Sequence, residues 1–175
     1  GRALIEVNRL AADSDDLEIS WDSGTIFFKA QDFVLTSRLI NSQFPNYEKV
    51  IPTEPEMKIE VPRDILLTTL ERASLFVSTN EHYAIAGLKV EEDKLIVTAH
   101  AVEVGSLKEI ITLSKPALKN CEASFNAKYL LEPLQVMEKE NVTLCLNGPS
   151  GPAVYIEEGE EGFYLHLVSP VCRVN

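Results

Sequence analysis

The sequence predicts an α+β fold made of repeated helix-plus-antiparallel-strand units. Two observations carry the prediction. Helix openings recur near residues 2, 62 and 127, a period of about 60–65 residues. Three short strand-like runs follow each opening. A helix laid on a curved antiparallel sheet, repeated in pairs, lets two units share one core. Residues 56–175 are therefore expected to be a complete two-unit domain, and 1–55 half of another with its connector. That makes about two and a half repeats.

Each element has a local reason. Ala3, Val7, Leu10 and Ala11 recur at helical spacing, and Asp13–Asp16 ends that helix as a turn. Leu17, Ile19 and Trp21 alternate with polar residues before the turn Asp22-Ser23-Gly24. Two runs follow, at 25–30 and 32–40, with Phe27, Val34 and Leu39 as typical strand residues and a break near Gln31. Pro45, Pro52 and Pro55 mark 41–56 as a connector.

The order then repeats. Met57, Ile59 and Val61 alternate as a strand, and Pro62 suits the first turn of a helix, where its missing N–H costs nothing. Leu66, Leu70 and Ala73 share a face of that helix, and strand runs at 84–91, 94–100 and 106–114 come next. In the third unit, residues 122–125 are a short strand and Asn126 caps a helix running to about 138. Pro133 is expected to kink or shorten it at Leu131–Glu132. Strands at 141–147, 152–157 and 163–169 complete the pattern.

Composition narrows the function. Hydrophobic residues make up 45% and charged residues 25% of the 175, an ordinary globular balance. No apolar run approaches the ~18 residues of a membrane helix. Sixteen basic against twenty-seven acidic residues give a charge of −11, which opposes generic nucleic-acid adhesion but leaves room for a local basic face. Cys121, Cys145 and Cys172 form no CxxC pair, so they read as reduced thiols in a cytoplasmic protein, without a zinc site. The chain opens on Gly1 and its first unit lacks a leading strand, so a piece of a longer protein is expected.

Catalytic motifs are missing. His82, His100 and His166 are isolated, and there is no P-loop, GxGxxG or GxSxG. The run Glu157-Glu158-Gly159-Glu160-Glu161 reads as a solvated hairpin loop, because calcium loops need ligands at set spacings. A hydrolase using those carboxylates is the minor alternative. No enzyme activity, cofactor or metal is expected.

Three segments stand out: Ser37-Arg38-Leu39-Ile40-Asn41-Ser42-Gln43-Phe44-Pro45-Asn46-Tyr47-Glu48-Lys49-Val50-Ile51-Pro52, Arg72-Ala73 through Asn80-Glu81, and Leu167-Val168-Ser169-Pro170-Val171-Cys172-Arg173. Together they resemble the bacterial DNA polymerase III β subunit family, the sliding clamps. The connector fits the family's S-[RK]-L-[IV]-x-x-x-[FY]-P-[DN]-Y-x-x-[VI]-[IL]-P pattern along its length. The resemblance covers the latter half of the family's middle domain and its whole third domain.

The resemblance implies a DNA-clamp fold and a non-catalytic processivity factor. Clamps of this kind are homodimeric rings that encircle duplex DNA without reading its sequence, with helices lining the hole. Arg2, Arg9, Arg63, Arg72, Lys128 and Lys139 are the candidates for the DNA-facing side, with Arg63 foremost. It also implies a groove that docks short linear motifs of DNA polymerase III, the clamp loader and repair proteins. By position, that groove takes Pro45, Lys49 and Val50 from the connector, Asn126 and Tyr129 from the last helix start, and Val154, Leu167, Val168, Ser169, Pro170 and Val171 from the closing strands. Leu75 and Phe76 match one side of the family's subunit interface. Lys49 stands where arginine is common and Ser169 where methionine is common. A naturally short regulatory form that binds partner peptides without encircling DNA is the alternative reading.

Overall fold

A computed structural model describes residues 1–78, 82–159 and 162–171, leaving aside the side chains of 158 and 159. Two compact units divide between Tyr47 and Glu48, ahead of the boundary placed after residue 55 from sequence. Within the described residues no helix is long and apolar enough to cross a membrane.

The first unit has helix α1 (Arg2–Leu10) and strands β1 (Glu18–Trp21), β2 (Thr25–Lys29) and β3 (Val34–Arg38). They form an antiparallel sheet in the order β1-β2-β3. The Asp22 carboxylate accepts from the amides of Gly24 and Thr25, at 2.8 Å each, and sets the first turn. Val7 and Phe28 are buried. By contrast, all four residues of β1 are exposed, including Ile19 and Trp21.

A short 3-10 turn, Tyr47–Lys49, spans the dividing line. Two repeats follow. One is β4 (Met57–Pro62), α2 (Arg63–Ala73), β5 (Ile85–Glu91), β6 (Lys94–Ala101) and β7 (Gly105–Thr112). The other is β8 (Cys121–Asn126), α3 (Ala127–Leu134), β9 (Asn141–Leu146), β10 (Ala153–Gly159) and β11 (Gly162–Val168). The leading strands are exchanged. β4 pairs with β9 to give the sheet β11-β10-β9-β4, and β8 pairs with β5 to give β7-β6-β5-β8. The exchange is reciprocal down to single hydrogen bonds. The amide opening α2, on Arg63, donates to Glu140 just before β9, and the amide opening α3, on Ala127, donates to Ala84 just before β5.

Alternation then builds the core. Met57, Ile59 and Val61 of β4 are buried while Lys58 and Glu60 are exposed. Leu66, Leu70 and Ala73 of α2 pack with Leu130 and Leu134 of α3 over Leu88, Leu95, Phe125 and Leu144. One polar tether crosses this layer. Glu109 of β7 accepts from the buried Thr69 hydroxyl at 2.9 Å and from Arg72 at 2.6 and 2.5 Å.

Several expectations are corrected. Pro62 ends β4 and caps α2 instead of entering its first turn. α3 stops at Leu134, short of 138, yet runs past the break expected at Leu131–Glu132. Pro133 sits so near its end that the lost backbone bond terminates the helix without kinking it. The acidic run is not a loop throughout: β10 extends to Gly159, paired with Gly162, and the Glu157 carboxylate accepts from the amides of Glu138 and Lys139 at 3.1 and 2.7 Å. Glu160 and Glu161 lie outside the described residues, as do Thr79–Glu81 and Cys172–Asn175.

Candidate functional site

The exchange of strands places the start of α3 beside the end of β11, and a groove of about 420 Å³ opens there. Asn126 ends β8 and caps α3, its side-chain oxygen accepting from the Lys128 amide at 3.0 Å. One turn on, Tyr129 presents a half-exposed ring along one wall, and Glu132 follows three residues later on the same helix face. Tyr83, from the segment before β5, contributes a second partly exposed ring.

The floor comes from the chain leaving β11. Leu167 and Val168 point to opposite faces of the strand, and Val168 is buried in the core. Beyond the strand, the Val171 amide donates to the Ser124 carbonyl at 2.7 Å. That bond ties the tail to β8, the edge strand of the other sheet. The segment Ser169–Val171 is therefore held across the seam between the two sheets of this unit. His166 completes the lining, with its Nδ1 3.4 Å from the Tyr164 hydroxyl and the two rings stacked. Burial, with the Glu157 carboxylate adding to it, pushes the Tyr164 phenol above its ordinary pKa, so it stays protonated at neutral pH.

A larger cleft, of about 560 Å³, lies on the outward face of β4, β9 and β10. Its rim carries Lys58, Glu60, Lys115 and Glu157, and Lys115 pairs with Glu60 at 3.7 Å. It offers charges where the first groove offers an apolar floor, so the first is the better binding site for an apolar group.

Of the residues expected to form a groove, Asn126, Tyr129, Leu167, Val168, Ser169 and Val171 line it together. Pro170 lies between two of them in the chain. Val154 does not line it: the residue is buried in β10, between Cys145 and Leu167 on the neighbouring strands. Lys49 and Val50 are exposed and do not line it, and Pro45 is exposed in the first unit. Sequence reasoning missed Tyr83, Glu132 and His166. Helical spacing from Tyr129 would have found Glu132, and strand alternation from Val168 would have found His166.

The basic candidates have local partners. The Arg63 guanidinium donates to the Leu134 carbonyl at 2.7 Å and pairs with Asp64 at 2.8 Å, tying the start of α2 to the end of α3. Its side chain is mostly buried, which corrects its standing as the foremost DNA-facing residue. Arg72 is held by Glu109, Arg9 by Glu6, and Lys128 lies 3.9 Å from Glu132. Arg2 and Lys139 are exposed. Along α2 and α3, Asp64, Glu71 and Glu132 balance Arg63, Arg72 and Lys128, so these helices carry no net positive charge. Leu75 is exposed, whereas Phe76 leans on the core.

Residues 48–170 match the family model described as DNA polymerase III beta subunit, C-terminal domain. The chain belongs to the DNA polymerase III beta subunit family. Relatives agree. The chain is 29% identical over 171 residues to the beta sliding clamp of Escherichia coli K12, covering 97% of itself and 46% of that protein. It is 31% identical over 176 residues to the beta sliding clamp of Synechococcus elongatus, with the same coverage. The chain thus spans about half the length of the beta subunits it matches. Among solved folds, the DNA polymerase III subunit beta of Pseudomonas aeruginosa superposes with a TM-score of 0.82 at 24% identity, covering 98% of this chain and 46% of that one. The DNA polymerase sliding clamp of Bacillus subtilis gives 0.81 at 22%, covering 98% and 45%. The α+β architecture expected from the repeat, and the clamp fold implied by the resemblance, are what the structure has.

Proposed function

We propose that this chain is part of a sliding clamp, the processivity factor of DNA polymerase III. In the assembled ring it would encircle duplex DNA, and its groove would dock short linear motifs of the polymerase, the clamp loader and repair proteins. The carrying observation is the groove itself. Leu167, Val168 and Val171 give it an apolar lining beside Tyr83 and Tyr129. Such a site takes an aliphatic or aromatic anchor and leaves the peptide backbone at a polar rim. Pro170 serves by holding the tail extended, and Ser169 gives the rim a hydroxyl.

The role on DNA is topological. Carboxylates and cations balance on α2 and α3, three of each, which favours sliding over adhesion. Arg2, Arg9, Arg72, Lys128 and Lys139 supply the weak phosphate attraction that remains. Leu75, exposed at the end of α2, is the leading candidate for a subunit contact, with Phe76 fixing its backbone from below. Nothing in this role calls for catalysis by the chain.

The test is fluorescence anisotropy with a labelled decapeptide carrying adjacent leucine and phenylalanine anchors. Saturable binding is expected, weakened about tenfold by Tyr129→Ala, which removes an exposed ring and leaves the core intact. No saturation by ~100 μM, a free energy weaker than about 5.5 kcal/mol, overturns the groove.

A further inference from the structure

We propose that Glu132 is a charge selector in this groove, favouring peptides that carry a lysine or arginine beside the apolar anchor. The inference rests on the groove reading above and adds the chemistry of its occupant. Among the described residues lining the groove there is a single carboxylate, Glu132, and no lysine or arginine. The remaining polar lining is uncharged or aromatic: the hydroxyls of Tyr83, Tyr129 and Ser169, the Asn126 amide and the His166 imidazole. A cation entering here meets one negative group and two aromatic faces, all attractive to it. An acidic side chain meets a like charge in the lining, and Lys128 lies outside it. The charge of −11 over the chain reinforces this preference at longer range.

Position sets the register. Tyr129 and Glu132 stand three residues apart, so their side chains are neighbours on one helix face, about 5–6 Å apart at the Cβ atoms. An anchor against Tyr129 therefore brings an adjoining peptide residue within reach of Glu132. The carboxylate is also available. Lys128, outside the lining, is 3.9 Å away and its side chain is 71% exposed, a loose surface pair that an incoming cation displaces. The Glu132 side chain is itself 48% exposed, so it changes partner without leaving water.

The experiment uses the full chain and three labelled decapeptides with the same leucine–phenylalanine anchor, followed by lysine, glutamine or glutamate. The expected order is lysine tightest and glutamate weakest, with the extremes about fivefold to tenfold apart in Kd at low salt. Glu132→Gln should bring that ratio to about one, and near 1 M salt should do the same in the wild type, since screening shortens the interaction to about 3 Å. A thermal melt of the Glu132→Gln chain, expected unchanged, separates charge from folding. Equal affinities for the three peptides, or a ratio that survives Glu132→Gln, overturn the selector and leave the groove standing. No saturation with any of the three overturns the groove and the selector with it.

Discussion

The two units carry the same repeat, and within the described residues the second pairs two copies of it while the first holds one. In the second unit each sheet has four strands, the fourth donated by the other repeat. In the first unit the sheet stops at three, and β1 is an edge where β5 and β9 each have a donated neighbour. The side chains record the difference. Leu88 of β5 and Leu144 of β9 are fully buried, whereas in β1 Ile19 is 49% and Trp21 70% exposed. The helices differ likewise: Leu66 and Leu70 of α2 are covered, and Leu4 and Ile5 of α1 face solvent. A single helix-plus-three-strand repeat has one apolar face too many, and pairing is what buries it.

That contrast predicts unequal responses to truncation. Leu144→Ala should cost the second unit about 2–5 kcal/mol, because a fully buried side chain leaves a cavity. Ile19→Ala in the first unit should cost under about 1 kcal/mol. Urea unfolding followed separately by the single tryptophan, Trp21, and by far-ultraviolet circular dichroism reads both. Equal costs would erase the distinction. Hydrogen exchange sharpens it further: amides of β9 should exchange only through global opening, and those of β1 through local opening.

A smaller effect is expected at the tether between α2 and β7. Glu109→Ala takes away the partner of the buried Thr69 hydroxyl and should cost about 1 kcal/mol. The Glu109 carboxyl is held below its ordinary 4.5, chiefly by the hydrogen bond from Arg72 and then by that from Thr69. A lowered folded-state pKa means the contribution is complete above the unfolded value and is lost as pH falls through the folded one. Stability below about pH 4.5 should therefore fall less steeply in Glu109→Gln, by a small margin because the site is near solvent. An unchanged acid limb would show that the tether adds nothing.

The smallest effect concerns Tyr155, whose hydroxyl is buried in the core without a hydrogen-bond partner among the described residues. Burial alone raises its phenol far above the ordinary range. Tyr155→Phe removes an unpaired polar group and keeps the ring, so stability should be unchanged or higher by up to about 1 kcal/mol. A clear loss in thermal denaturation would mean that the hydroxyl is satisfied in solution.

Most of the elements were legible along the chain, and the site was legible only in part. Period-two alternation in Met57–Val61 and period-3.6 spacing in Leu66–Ala73 are local signals, and both faces came out as expected. Asn126 announced its helix because a cap acts on the very next amides. Strand limits slipped where turns took residues from both sides, as at 32–40, where pairing spans only Val34–Arg38. Six of the residues named from the resemblance line one groove, while Tyr83, Glu132 and His166, which line it too, carry no motif of their own. Val154 shows the limit of reading by position, since only packing separates a strand residue in a groove from one beneath it.

Sequence alone determined the repeat, the amphipathic faces and the absence of a catalytic motif, because these depend on spacings of a few residues. Only the tertiary structure decided which sheet receives each leading strand, since β4 and β9 meet across some eighty residues that local preference does not see. It also decided what the charges do. Arg63 was the foremost DNA-facing candidate from sequence, and in the fold its guanidinium ties two helices by donating to the Leu134 carbonyl at 2.7 Å. The groove arises in the same way, from a tail tied to the other sheet by the Val171–Ser124 bond. Long-range closure, not local propensity, put the helix start, the strand end and the tail in one place.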